Sequence, residues 1–95
     1  MVIGIVGSGS WGTALAQTFA CKGHKIYLYA RRSEQREELE ITRENKKYLK
    51  GVNLVENIII SKSLTETVVD KDMVLMAVPT QTFRDVYAYV KFSLL

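Results

Sequence analysis

The stretch that decides the fold is VIGIVGSGSWGTALAQ, residues 2–17, in which an apolar run meets three closely spaced glycines. The run at residues 1–6 is typical of a buried strand, because it is short, rich in Val and Ile, and ended by glycine. From residue 10 onward the apolar spacing becomes that of a helix. The predicted apolar face of this helix consists of Trp11, Ala14, Leu15 and Phe19.

The glycines Gly7, Gly9 and Gly12 fit the pattern G-x-G-x-x-G. Because this loop follows a predicted strand, opens a helix and leads to a second strand, its context is that of a dinucleotide site. Gly7 would allow the tight turn, Gly9 would let a pyrophosphate approach bare backbone, and Gly12 would let the helix pack closely. The backbone N–H groups of Ser10, Trp11 and Gly12 are expected to face the phosphates. A glycine-rich turn without a ligand is the alternative.

Strands and helices alternate through the rest of the chain. Strands are predicted at residues 25–30, 58–61 and 72–78, and residues 48–57 are predicted to be irregular. Helices are predicted at 33–47 with Ser33 as N-cap, after Ser63 with Glu66 at capping-box spacing, and from Thr80 onward. This order predicts an α/β fold, the N-terminal half of a Rossmann-type parallel sheet with strand order 3-2-1-4. Residues 1–95 are therefore interpreted as a partial domain, truncated from a longer protein.

The residues after the second predicted strand indicate which dinucleotide is preferred. Many NAD enzymes place an acidic residue there to bind the ribose 2′-hydroxyl. Here Arg31 and Arg32 follow, and the first acidic residue is Glu34. Because guanidinium groups bind a phosphate in bidentate fashion, the sequence favours NADP(H), with NAD(H) as the second choice. Pairing of the two arginines with Glu34 and its neighbours is the alternative role.

Composition excludes several classes of protein. The 95 residues carry 13 Lys and Arg against 10 Asp and Glu, a net charge of +3, and the bases at 31–50 alternate with acids. Mixed signs indicate a solvated helix face rather than a nucleic-acid surface. No apolar run is long enough to span a bilayer, and a single cysteine fits a reducing compartment. We therefore expect a cytoplasmic protein that binds neither nucleic acid nor membrane.

Four stretches together resemble bacterial NAD(P)-dependent glycerol-3-phosphate dehydrogenases. They are GSGSWGTALA, LYARR, NKKYLKGVNL and AVPTQTFRDV. The resemblance covers nearly the whole chain, with one departure at Lys50, where the family usually has proline. It implies interconversion of sn-glycerol 3-phosphate and dihydroxyacetone phosphate, for glycerophospholipid precursors, and a homodimer is a hypothesis. It also implies that the catalytic lysines and most of the substrate site belong to a helical C-terminal domain absent here, so no catalytic residue is assigned.

The resemblance further implies which residues contact the cofactor. They are Ser10, Trp11, Arg31, Arg32 and Tyr48, with Val78 and Pro79 near the nicotinamide. Of the other reactive side chains, His24 is predicted to be a surface residue and Cys21 a small packing residue, and no spacing suggests a metal site. Two other functions stay open: another NADP-dependent dehydrogenase, of ketopantoate or hydroxyacid type, and a non-catalytic module that only binds the dinucleotide.

Overall fold

The computed structural model describes residues 1–45 and 49–77. Its main sheet has four parallel strands: β1 (Val2–Val6), β2 (Lys25–Tyr29), β5 (Ile58–Ile60) and β6 (Met73–Met76). Their spatial order is β5-β2-β1-β6, which is the predicted order 3-2-1-4. The first strand of the chain therefore lies inside the sheet, between β2 and β6.

Three helices connect the strands of the sheet. They are α1 (Ser10–Cys21), α2 (Ser33–Thr42) and α3 (Leu64–Val68). Buried residues of α1 and α2 share one apolar cluster with the side chains of Ile3, Ile26 and Ile58. Val68 of α3 packs with Val6 in a second cluster. Since alternate residues of a strand point to opposite faces, β1 supplies both clusters, and the predicted α/β layering is confirmed. No helix among the described residues is long and apolar enough to cross a membrane.

The predicted helix at 33–47 ends earlier than expected. Arg32, not Ser33, is its N-cap, and α2 stops at Thr42 because Arg43 adopts a left-handed conformation with φ of 56°. The Arg43 guanidinium donates hydrogen bonds to the carbonyls of Val55 (2.8 Å) and Ile58 (2.7 Å), which fixes this turn against the chain entering β5.

The prediction that residues 48–57 are irregular is wrong for residues 49–53, whereas residues 54–57 lie outside any helix or strand, as expected. The short strand β3 (Glu44–Asn45) pairs antiparallel with β4 (Leu49–Asn53), and the register shifts between Glu44 and Asn45. In contrast, the Ser63 cap is confirmed, because the Glu66 backbone N–H donates to Ser63 Oγ at 3.1 Å. The predicted helix from Thr80 onward lies outside the described residues.

The apolar face of α1 is predicted correctly in part. Leu15 and Phe19 are half-buried and pack against the apolar cluster, as expected. The Trp11 side chain is instead 69% exposed, and the most deeply buried side chains are those of Thr13, Ala16 and Ala20. Cys21 is exposed, so its predicted packing role is wrong. His24 is half-buried in the turn after α1, with Nδ1 2.9 Å from the terminal amino group. This turn lies at the opposite end of the sheet from the glycine loop.

The contact between β1 and α3 gives a test of packing. A Cβ atom on Gly4 would overlap the backbone carbonyl of Thr67. We expect Gly4→Ala to lower the free energy of unfolding by about 1–3 kcal/mol, the usual cost of overpacking a filled core. Denaturant unfolding of the intact protein measures this loss. Gly9→Ala is the control, because a Cβ there meets no protein atom within 4 Å. An equal loss in both variants would contradict the close contact.

Candidate functional site

The glycine loop, residues 7–12, joins β1 to α1 at the carboxyl edge of the sheet. Gly7 has a positive φ of 113°, which glycine adopts without strain. Its N–H donates to the carbonyl of Tyr29 at 3.0 Å, so the loop begins against the end of β2. A Cβ on Gly12 would overlap the Gly7 carbonyl and lie 3.3 Å from Ala77 Cβ. The first and third glycines thus have the predicted steric roles, the turn and the close approach of the helix.

The middle glycine faces open space. Gly9 is the N-cap of α1, and a Cβ built on it meets no heavy atom within 4 Å. Nothing in the described protein therefore requires glycine at this position for packing. The open side of the backbone fits a ligand that approaches it directly, which is the chemistry of a pyrophosphate site.

The N-terminus of α1 adds donors to this open side. The Thr13 N–H donates to the Gly9 carbonyl at 2.9 Å and is the first helical bond of α1. The N–H groups of Ser10, Trp11 and Gly12 precede it and have no acceptor within the helix. No acidic residue lies in the first turn of α1. The helix end consequently presents backbone donors and the positive end of its dipole, a combination that favours anions.

The basic pair Arg31 and Arg32 lies at the same edge of the sheet. Both residues follow the end of β2, whose last residue, Tyr29, bonds to Gly7, and both are exposed. The Arg36 guanidinium donates to the carbonyls of Ala30 (2.8 Å) and Arg31 (3.2 Å). Arg36 also lies over the Tyr29 ring, 5.5 Å from its centroid. Sequence analysis missed Arg36, which holds the turn that carries the basic pair.

A cluster of four polar side chains lies beneath the glycine loop, and sequence analysis missed it as well. Its members are Ser8, Thr13, Gln35 and Asn45. Asn45 is only 2% exposed and Thr13 fully buried. Asn45 begins the quoted stretch NKKYLKGVNL, but nothing in its spacing indicated a contact with the loop, because the partner Ser8 is 37 residues away.

Three of the predicted cofactor contacts belong to parts of the chain that the structure does not describe. Tyr48, Val78 and Pro79 lie outside the described residues. Ala77, immediately before Val78, donates its N–H to the Val6 carbonyl at 2.8 Å, so the chain leaves β6 beside the start of the glycine loop. Within residues 1–45 and 49–77, no group of three or more His, Cys, Asp or Glu side chains could hold a metal ion.

Comparison with known proteins gives a family for this arrangement. The family model described as NAD-dependent glycerol-3-phosphate dehydrogenase N-terminus matches residues 2–94. Relatives named as NAD(P)+ glycerol-3-phosphate dehydrogenases include proteins from Chlorobium phaeobacteroides, 47% identical over 93% of this chain, and Bacillus cereus, 44% identical over 94%. The chain spans 26% of the length of each.

A solved structure is similar over the same part of the chain. The glycerol-3-phosphate dehydrogenase of Coxiella burnetii is 32% identical, with a TM-score of 0.90, over 95% of this chain and 28% of that protein. The fold predicted from the alternation of strands and helices is thereby confirmed.

Proposed function

Because the chain belongs to the NAD-dependent glycerol-3-phosphate dehydrogenase family, as an N-terminal segment of it, we propose that it binds the dinucleotide of such an enzyme. The observation that carries the proposal is the open backbone at Gly9, beside the N-terminus of α1 and the basic pair. The pyrophosphate would lie against the glycine loop, with the N–H groups of Ser10, Trp11 and Gly12 as donors. Tyr48, Val78 and Pro79 are proposed to complete the cofactor site.

The proposed activity of the intact protein is interconversion of sn-glycerol 3-phosphate and dihydroxyacetone phosphate. A bound nicotinamide dinucleotide supplies hydride transfer to or from the substrate carbon. The role proposed for this segment is to bind and orient the cofactor. Among the described residues, His24 and Cys21 lie at the other end of α1 from the glycine loop. We place the catalytic residues in a helical C-terminal domain, in keeping with the 26% of the relatives' length that this chain spans.

The cellular setting is part of the same proposal. A supply of glycerol 3-phosphate would serve glycerophospholipid synthesis, and a homodimer is the proposed assembly. The free, exposed Cys21 suits a reducing compartment, so a cytoplasmic location is proposed.

An activity assay on the intact protein tests the proposed reaction. We expect NADPH oxidation that depends on dihydroxyacetone phosphate and is absent with ketopantoate or small 2-oxo acids. Oxidation with ketopantoate alone would instead support a different dehydrogenase, and dinucleotide binding without turnover of any of these substrates would support a binding module.

Replacement of Gly9 tests the position of the pyrophosphate. Gly9→Val is expected to raise the Kd for NADPH by at least about tenfold, because the added side chain would occupy the space of the ligand, while its Cβ would meet no protein atom within 4 Å. Fluorescence titration measures the Kd, and thermal unfolding measures stability.

The control for this variant is Gly23→Ala, in the turn at the far end of α1. Gly23 has φ of 95°, so alanine there should cost about 1–2 kcal/mol of stability. The Kd for NADPH should nevertheless stay at its wild-type value. If NADPH bound the Gly9→Val protein with unchanged affinity, the loop would not be the phosphate site.

The basic pair tests cofactor preference. Arg31→Ala combined with Arg32→Ala should raise the Kd for NADPH about 10- to 100-fold, the worth of one to two hydrogen bonds to a charged group, and that for NADH less than about threefold. The control, Lys22→Ala with Lys25→Ala, removes the same charge from exposed residues at the opposite edge of the sheet. It should leave the ratio of the two Kd values unchanged. Equal losses of NADPH and NADH affinity in the arginine variant would contradict a role for the pair in binding the 2′-phosphate.

A further inference from the structure

The polar cluster beneath the glycine loop centres on one backbone atom, the carbonyl oxygen of Ser8. Asn45 Nδ2 donates to it at 2.6 Å and Thr13 Oγ1 at 3.0 Å. Gln35 Nε2 is a third and longer donor, at 3.4 Å. A carbonyl oxygen has two lone pairs, so the two short bonds already use its accepting capacity.

The side-chain amide of Asn45 has a hydrogen-bond acceptor for each of its two hydrogens. Its amide nitrogen has two hydrogens and uses both: one bond goes to the Ser8 carbonyl and the other, of 2.7 Å, to Thr13 Oγ1. The Thr13 hydroxyl in turn donates a hydrogen bond to the Ser8 carbonyl. The three groups thus form a closed triangle in which each donor has an acceptor. A buried triangle of this kind admits one arrangement, because any rotation leaves a polar group unpaired.

The triangle fixes the orientation of the next peptide plane. In a planar trans peptide the C=O and the following N–H point in opposite directions. Since the Ser8 carbonyl points inward to Asn45, the Gly9 N–H points away from the buried cluster. The Gly9 Cα beside it borders open space, because a Cβ there would meet no atom within 4 Å. We propose that Asn45 is a positioning residue for the dinucleotide: its amide turns the Ser8–Gly9 peptide so that the Gly9 N–H donates to the pyrophosphate. This inference rests on the proposed function of the loop.

Backbone contacts on both sides of Asn45 fix the position of its side-chain amide. The left-handed Arg43 ends α2 and turns the chain, and the Leu54 N–H donates to the Arg43 carbonyl at 2.7 Å. Between these two points β3 pairs antiparallel with β4, and the register of this pair shifts between Glu44 and Asn45. This pair of strands is therefore the element that places Asn45 beneath the loop.

Fixing the loop before the ligand arrives increases affinity. A loop that has to be ordered on binding loses part of the interaction energy to that ordering. Removal of the Asn45 donors would release the Ser8–Gly9 peptide and lower dinucleotide affinity, although Asn45 lies on the inner side of the loop, away from the ligand.

The test compares two asparagines in the intact protein. Asn45→Asp keeps the shape of the side chain but replaces both donors with an oxygen that repels the Ser8 carbonyl. Asn57→Asp is the matched control, because Asn57 Nδ2 also donates to two carbonyls, those of Ala20 (2.8 Å) and His24 (2.7 Å), at the other end of α1. NADPH is the probe, with its Kd measured by titration and stability by thermal unfolding.

We expect Asn45→Asp to raise the Kd for NADPH by about tenfold or more, the effect of one lost buried hydrogen bond. Asn57→Asp should change the Kd less than about twofold, even where it lowers the unfolding temperature as much. A second readout is the Gly9 amide signal in a glycine-labelled NMR spectrum. Saturating NADPH should shift this signal in the wild type and shift it less in Asn45→Asp.

Several results would overturn the role proposed for Asn45. Equal Kd changes in the two aspartate variants, or an unaltered Gly9 shift, would overturn the role of Asn45. If Asn45→Asp does not fold, Asn45→Ala decides, because it removes both Asn45 donors without adding a charge. An unchanged Kd in that variant overturns the proposal, and a several-fold rise supports it. Failure of the wild-type protein to bind NADPH would instead refute the function proposed for the loop.

Discussion

The close approach of α1 to the end of β1 is the constraint on which the site depends. Gly12 lies so near the Gly7 carbonyl that even one methyl group would overlap it. This contact brings the N-terminus of α1 against the edge of the sheet, where its backbone donors lie beside the loop and close to the end of β2. The proposed chemistry follows from the backbone: Gly7 and Gly12 allow the turn and the close approach of the helix, and the missing side chain at Gly9 leaves the backbone open to a ligand such as a pyrophosphate.

The strand order of the sheet could be predicted from the sequence, whereas the packing of α1 could be predicted only in part. The alternation of apolar strands with helices is a local pattern, and right-handed crossovers leave few ways to order four parallel strands, so the order β5-β2-β1-β6 followed from the sequence. The apolar face of α1 was predictable only in part. Leu15 and Phe19 pack against the core as their spacing indicates. The fully enclosed positions of this closely held helix carry the small residues Thr13, Ala16 and Ala20, and Trp11 is exposed.

The remaining errors share a different cause, which is contact between residues distant in sequence. The end of α2 is set by the bonds from Arg43 to Val55 and Ile58, and the chain after β4 returns to the same arginine. Asn45 meets the glycine loop across 37 residues. No periodicity or motif within a short window carries such information, so the glycines and the basic pair could be assigned to the candidate site from sequence, whereas the side chains that support them could not.

The position of β1 between β2 and β6 has a consequence for folding during translation. Ribosomes release the N-terminus first, yet β1 gains its second neighbour only when Met73 and the residues after it have been synthesised. Parallel strands cannot pair through a tight hairpin, so this closure waits for a long crossover. Until then the nascent chain has one flank of this buried, apolar strand uncovered, and Gly4 has no Thr67 to pack against. A strand translated before the other described strands is thus among the last of them to be enclosed, and a chaperone that shields it would act before the rest of the sheet has emerged.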